Sequence, residues 1–342
     1  MQKKILIIGG GVAGVCLAHR LMKLNQHITL VDDGKNVSSV VAAGIVHPMS
    51  FRRTLLSWKA NPFYFEAKTF FAEMEAVLNA RFYHPIMVRR LFASMEESVT
   101  WNQRLEQTEF KPFMHSITPD DTAFEPFGSG RVDGFWIDAQ VFITESHKYL
   151  AAHKSLVIDS FSPDDFNPET MVFQGVKYDE VVMALGYKNS LVPWFAEVPV
   201  NPTKGQLLTV KWDNQCRNTS LHRKAFALPV GENVFRIGST YEWNNTSVEP
   251  TPEGRELILS NVRSITNDSL EVIAHNSGIR PASPDRRPMV GKHPAFDHLY
   301  IFNGLGAKGY MLAPSLAEML CNALIKQTTL LADLHPYRFN PK

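Results

Sequence analysis

The run KKILIIGGGVAG, residues 3–14, constrains this chain more than any other stretch. Four consecutive aliphatic residues, Ile5–Ile8, show no polar alternation, the pattern of a strand buried on both faces. Gly9, Gly11 and Gly14 follow at G-x-G-x-x-G spacing, and a helical pattern runs from Val12 to Leu24. In that order each glycine has a task. The first permits a tight turn, the second lets backbone approach a pyrophosphate, and the third lets helix and strand pack closely. The helix start offers free N–H groups and a positive dipole end to phosphates. A second strand, His27–Val31, ends at Asp32, 18 residues after Gly14. That is near the ~20 at which a carboxylate hydrogen-bonds a ribose hydroxyl. The stretch predicts a dinucleotide-binding βαβ unit; a glycine-rich turn in some other α/β unit is the alternative.

A chain of 342 residues is long for one domain, so two domains are expected. Lys and Arg total 35 against 34 Asp and Glu, which leaves no global electrostatic footprint for nucleic acid, only room for a local patch. Cys16, Cys216 and Cys321 are far apart and show no metal-ligand or redox spacing, as in a reduced cytoplasmic protein; no metal is expected. Lys3 and Lys4 ahead of an apolar run to Ala18 imitate a secretory signal. Cleavage there would discard the glycine loop, so the segment is read as retained. No later run reaches the ~18 apolar residues of a membrane span, and a soluble protein is expected.

Further along, KNVSSVVAAGIVHP (35–48) brings small residues to Ala43-Gly44, where backbone can approach a planar ligand. Ser38 and Ser39 there either bond phosphate or ribose oxygens or cap a short helix. A helical pattern over 51–80 starts with Arg52, Arg53, Trp58 and Lys59, either a solvated face or a substrate contact. Residues 81–130 are mixed, punctuated by Pro85, Pro112, Pro119 and Pro126. A helix is expected over Ala139–His153, a strand over Ser155–Ser160, and a hairpin around Gln174-Gly175. EVVMALG (180–186) reads as a buried strand whose end, at Gly186, meets a ligand. Residues 204–241 change to strand-like runs with turn residues between them, an antiparallel sheet. Thr251–Ile265 is helical. LYIFNG (299–304), three glycines (Gly304, Gly306, Gly309) and a long apolar helix then build a second strand–turn–helix approach to a ligand.

The glycine loop with Asp32, SSVVAAG, KGQLL, IGSTYE, GIRPASPDRRPMVG and NGLGAKGYMLAP, in this order, resemble the FAD-dependent D-amino-acid oxidase superfamily, which includes glycine and sarcosine oxidases. The ending is also similar to the oxidase half of the bifunctional enzyme that removes a carboxymethyl group from carboxymethylaminomethyl-uridine in tRNA. The resemblance spans almost the whole chain. It implies an α/β fold: a Rossmann-type FAD-binding domain from discontinuous segments, 1–80, 131–203 and 278–342, and an α+β substrate domain with an antiparallel sheet, 81–130 and 204–277.

By the same resemblance, Gly9, Gly11, Val12, Ala13 and Gly14 approach the pyrophosphate of a non-covalent FAD, with Asp32 on the ribose and Ser38 and Ser39 nearby. Ala43, Gly44 and Ile45 line the isoalloxazine, Gly186 closes a strand beside it, and Gly306, Lys308, Gly309, Tyr310 and Met311 form a loop at its N1/O2 edge. The implied reaction is hydride transfer from a C–H beside an amine to flavin N5, then imine hydrolysis. Arg280 in GIRP takes the position that clamps a substrate carboxylate; a structural ion pair with an interior acid is its alternative role. His47 and Lys308 join it as candidate catalytic groups, His47 with a packing role equally open, and Phe226 and Tyr241 as pocket wall. Where glycine oxidase has an arginine this chain has Ala307, beside Lys308, so small-amino-acid specificity does not carry over. Two alternatives stand beside an amine or amino-acid oxidase. One is a tRNA-modifying oxidase using a patch of Arg52, Arg53, Lys59, Arg89 and Arg90. The other is a non-catalytic dinucleotide-binding protein.

Overall fold

The computed structural model describes residues 2–35, 37–116, 124–214 and 216–339; Pro119 lies outside them. Its first layer is a six-stranded sheet in the order Met289–Lys292, Leu299–Asn303, Glu180–Met183, Lys4–Ile8, His27–Asp32, Leu156–Ile158. All neighbours are parallel except the Met289–Lys292 edge. The uniformly apolar Ile5–Ile8 run is central here and buried on both faces. Ile5 and Ile7 pack into a core with the helices Val12–Lys23, Ala60–Leu78, Ala139–Ala152 and Gly309–Lys326. Leu6 and Ile8 face the opposite way, onto Phe166, Phe173, Val192 and Phe195. The alternation of side chains along a strand sends successive residues into different cores, which is why no polar position interrupts the run.

The second layer is a ten-stranded sheet, mostly antiparallel, in which the long strands Asn201–Lys211 and Glu271–Ala282 pair over their full lengths. Tyr83–Leu91 and Ser129–Ile137 pair antiparallel in its other half, and Ile45–Val46 forms one edge. One junction is parallel, Thr219–His222 beside Tyr83–Leu91. The helix Pro252–Val262 covers this sheet through Ile258 and Val262.

Several expectations shift. The helix expected over 51–80 begins only at Ala60. Before it lie a 3-10 turn, Phe51–Arg53, and a small pair of strands, Met49–Ser50 with Leu55–Leu56, broken by left-handed Thr54 and Lys59 (φ 46° and 47°). Ser38 and Ser39 lie within the short helix Val37–Val41 rather than ahead of it. The strand Glu271–Ala282 was not expected; its sequence EVIAHNSGIRPA lacks apolar alternation and contains a proline. The expected segment boundaries at 130/131, 203/204 and 277/278 each fall inside a strand of the ten-stranded sheet.

Candidate functional site

A cavity of ≈ 670 Å³ runs between the two sheets, with the glycine loop and Asp32 at one end and Arg280 at the other. At the first end it is built from backbone. Gly9 holds φ 108°, and its N–H donates to Val31 O at 2.8 Å. Asp32, buried, accepts from Gly10 N–H at 2.6 Å and from Gly34 N–H at 2.9 Å, which fixes the turn on either side of it. A carboxylate has further lone pairs for a hydroxyl donor. Gly14 does not face the cavity; a Cβ there would lie 1.9 Å from Gly9 O, so its task is helix-to-strand contact alone. Val12 N–H, at the helix start, donates to Ser39 Oγ at 3.0 Å, and Ser38 Oγ donates to Ile279 O at 2.7 Å. The two hydroxyls therefore tie the nucleotide loop to the helix and to the strand that carries Arg280, and do not cap.

Along the middle, Ala43, Gly44 and Ile45 line one wall, and Gly44 takes φ 74° with the main chain of Ile137 against its α-carbon. Gly306, Lys308, Gly309, Tyr310 and Met311 line another, at the start of the helix Gly309–Lys326. Tyr310 OH donates to Ser39 O at 2.9 Å, closing one wall on the other. Lys308 Nζ donates to Met49 O at 3.0 Å and to His47 O at 3.4 Å. Burial lowers its ammonium to about 8, and no carboxylate is paired with it among the described residues. An ammonium has three donors, so one stays free. Gly186 (φ 56°) sits beside these walls, its carbonyl held by Asn303 Nδ2 at 2.9 Å.

At the far end, side chains replace backbone. Arg280 stretches across Gly205, where a Cβ would be 2.1 Å from its guanidinium. Its Nη2 donates to Ser239 Oγ at 2.9 Å, and its Nη1 to Thr240 O at 3.2 Å and Lys204 O at 3.4 Å, with the Tyr241 ring 4.3 Å away. Among the described residues no acid pairs with it, so the ion-pair alternative does not hold; burial lowers its pKa. His47 stacks on Phe51 (4.5 Å, 11°) and meets His222 edge-on at 5.6 Å. Burial first, then Lys308 and His222, depress the His47 imidazole well below its ordinary value; burial, then Arg90, lowers His222 to about 3. Both rings are neutral at pH 7. Ser220 Oγ donates to Ala227 O, so His222 Nε2–H donates to Ser220 Oγ and its Nδ1 lone pair is left over.

Every candidate residue except Gly14 lines the one cavity, as do Phe226 and Tyr241. The basic patch does not assemble. Arg89 is buried against Glu125, and Arg90 is buried and paired with Glu97 at 2.7 Å, while Arg52, Arg53 and Lys59 are exposed. Sequence reasoning missed His222, Phe51, Ser239 and the Asp33–Lys188 pair (2.7 Å), all on the cavity wall. His222 carried one usable signal, its place at the end of the strand Thr219–His222.

A glycine turn under a helix start, a buried acid after the second strand and a long slot between two sheets form the binding frame of a flavin-dependent oxidoreductase. The family model for FAD dependent oxidoreductases, DAO, matches residues 4–323, and the chain belongs to that family. Its cofactor is FAD. The chain is 24% identical over 380 residues to a glycine oxidase of Pseudomonas aeruginosa, covering 98% of each. It is 21% identical over 371 residues to the tRNA 5-methylaminomethyl-2-thiouridine biosynthesis bifunctional protein MnmC of Legionella pneumophila, covering 96% of this chain but 55% of that protein. The chain thus spans about half the length of that bifunctional relative. Among solved structures, glycine oxidase from Geobacillus kaustophilus superposes with a TM-score of 0.83 at 19% identity, covering 98% of this chain and 99% of that one. Among the described residues no helix is long and apolar enough to cross a membrane.

Proposed function

We propose that this oxidoreductase oxidises the C–N bond of an amine or amino acid bearing a carboxylate, with Arg280 as the carboxylate clamp. The observation that carries the proposal is a guanidinium at the cavity wall held by carbonyls and a hydroxyl, with no acid of its own. Such an arginine is oriented by neutral groups and keeps its charge for an anionic ligand. The slot fits FAD along its length. Asp32 has spare lone pairs for the ribose, Gly9–Ala13 offer backbone to the pyrophosphate, and Ala43–Ile45 and Gly306–Met311 offer two walls to the ring system. When bound, the flavin supplies the acceptor for the hydride leaving the carbon beside nitrogen. None of Cys16, Cys216 and Cys321 lines the cavity, which favours non-covalent FAD. The buried thiols of Cys16 and Cys321 suit a reducing, cytoplasmic setting.

The residues here orient and desolvate. Arg280 and Lys308 make the substrate end positive, which favours a bound amino acid in its anionic form, with the nitrogen lone pair free. His47 and His222, neutral, bring no competing charge, and with Phe51 they exclude water from the ring wall. The substrate carbon gives up a hydride and its nitrogen a proton; water then adds to the C=N bond and splits it. We assign the six-stranded sheet and its helices to cofactor binding and the ten-stranded sheet to the substrate side. A carboxymethylamino group on a tRNA uridine is a second candidate substrate, favoured by similarity to the bifunctional protein and by exposed Arg52, Arg53 and Lys59. The test is anaerobic bleaching of the flavin by glycine, N-methylglycine, D-amino acids, proline and carboxymethylaminomethyl-uridine tRNA. Bleaching by none of these carboxylates would overturn the proposal.

A further inference from the structure

We infer that His222 is a substrate contact, its Nδ1 lone pair accepting the N–H of the amine that is oxidised, so that the site selects amines which still carry an N–H. The inference rests on the amine oxidation proposed above and deepens it. The tautomer follows from the strand itself. Ser220, wholly buried two residues before His222, gives its one hydroxyl proton to Ala227 O at 3.2 Å. Its oxygen then accepts from the imidazole, at 2.9 Å, so the ring proton sits on Nε2 and Nδ1 is an acceptor. Among the described residues no donor bonds Nδ1. Arg90, paired with His222 on the adjacent strand, is committed to Glu97 and to Arg223 O. His222 is 8% exposed, and a buried acceptor left without a donor costs free energy that a bound donor recovers. Nor is this atom sealed in the protein, as the unpartnered Nδ1 of His47 is.

Strand register places this acceptor opposite the clamp. Leu207 pairs with Gly238, Gly238 with Phe226 and Phe226 with His222, a single row across four strands. Directly paired residues share a face, and so do residues two apart along a strand. Gly205, Leu207, Phe226 and His222 therefore stand on one face, and all four line the cavity. Arg280 lies across Gly205 with its guanidinium bonded to Ser239, next to Gly238. Two strand spacings, about 10 Å, separate that end of the row from His222. Between them the row carries one side chain, the Phe226 ring, which offers no hydrogen bond. An α-amino acid bonded through its carboxylate at one end and its N–H at the other spans about 9 Å. The two lengths match. Held so, the amine keeps its N–H on His222, and its lone pair is left to form the C=N bond as the hydride departs.

The experiment uses the FAD-loaded protein and anaerobic flavin bleaching by amines set against derivatives that have no N–H. Glycine and N-methylglycine are set against N,N-dimethylglycine, D-alanine against N,N-dimethyl-D-alanine, and proline against N-methylproline. For each parent amine that bleaches the flavin, kcat/KM should exceed that of its derivative by about tenfold or more, as for a donor on a buried acceptor. His222→Leu should lower that ratio by about tenfold through a loss on the parent amine. His222→Asn, which keeps an acceptor near the place of Nδ1, should restore most of it. A His222→Leu protein that gains on the derivative and is unchanged on the parent would show a role in shape alone and overturn the contact. A ratio near one in the unaltered protein would overturn it too, whether or not the variants fold, and would leave amine oxidation standing. Bleaching by none of the four parent amines would overturn oxidation of free amino acids and the contact with it. Melting temperature and FAD content of each variant separate a lost contact from lost folding.

Discussion

The two ends of the cavity are made of different material. At the nucleotide end the groups facing the ligand are backbone atoms and one carboxylate that organises them, from segments adjacent in sequence or in the parallel sheet. At the substrate end they are long side chains, Arg280, His47, His222, Phe51 and Tyr241, brought from strands, loops and a 3-10 turn far apart along the chain. A backbone-built site tolerates almost no added atoms, whereas a site built of side chains can be retuned one residue at a time.

The largest expected effect is at the first end. Gly14→Ala sets a Cβ against Gly9 O and should yield protein without stoichiometric FAD, measured by the flavin absorbance of the purified chain. Gly175→Ala, in a hairpin where nothing lies within 4 Å, should cost only about 1–2 kcal/mol for its positive φ and leave the protein yellow. Equal outcomes would remove the contrast. Next is Arg280→Met, which should weaken carboxylate substrates by about 2–5 kcal/mol in kcat/KM while FAD content is unchanged. An unaltered KM for a carboxylate substrate would show that the arginine has no such role.

Acid should act on the substrate end before the nucleotide end. His222, lowered to about 3, and His47, lowered well below its ordinary value, bind protons more readily unfolded than folded. Their contribution is complete above pH ~6.5 and is lost as pH falls from there toward 3. His222→Gln should flatten the dependence of melting temperature on pH across that window; an unchanged slope would place the acid sensitivity elsewhere. The smallest effect concerns the surface. Arg52→Ala with Arg53→Ala should reduce tRNA binding modestly, by about one to two units in the salt slope, if tRNA is the substrate, and do nothing to oxidation of a free amino acid.

The same division decided what the sequence made legible. Ile5–Ile8, the three glycines and Asp32 are local signals whose spacing carries its own physics, and the strand, turn and helix they announce form there, with Gly14 turned to the strand and away from the cavity. The glycine turn at Gly304, Gly306 and Gly309 was a local signal as well, but Lys308 and Tyr310 within it were reached through resemblance. Arg280 was reached only through resemblance, because its strand EVIAHNSGIRPA has no periodicity to announce it. His222 and Ser239 had no local signal strong enough, since their neighbours in the cavity belong to other strands. Arg89 and Arg90 misled for the opposite reason: a basic pair in sequence says nothing about the Glu97 and Glu125 that neutralise it in space.

The hydroxyl of Ser38 on the carbonyl of Ile279, and the phenol of Tyr310 on the carbonyl of Ser39, have a consequence for biosynthesis. Early and late segments of the polypeptide meet at these bonds, and the ring-system walls at Ala43–Ile45 and Gly306–Met311 are synthesised about 260 residues apart. A nascent chain carries its glycine turn long before the opposing wall has been translated. The site for the pigment is therefore complete only in a nearly finished molecule, since residues from both ends of the chain line it.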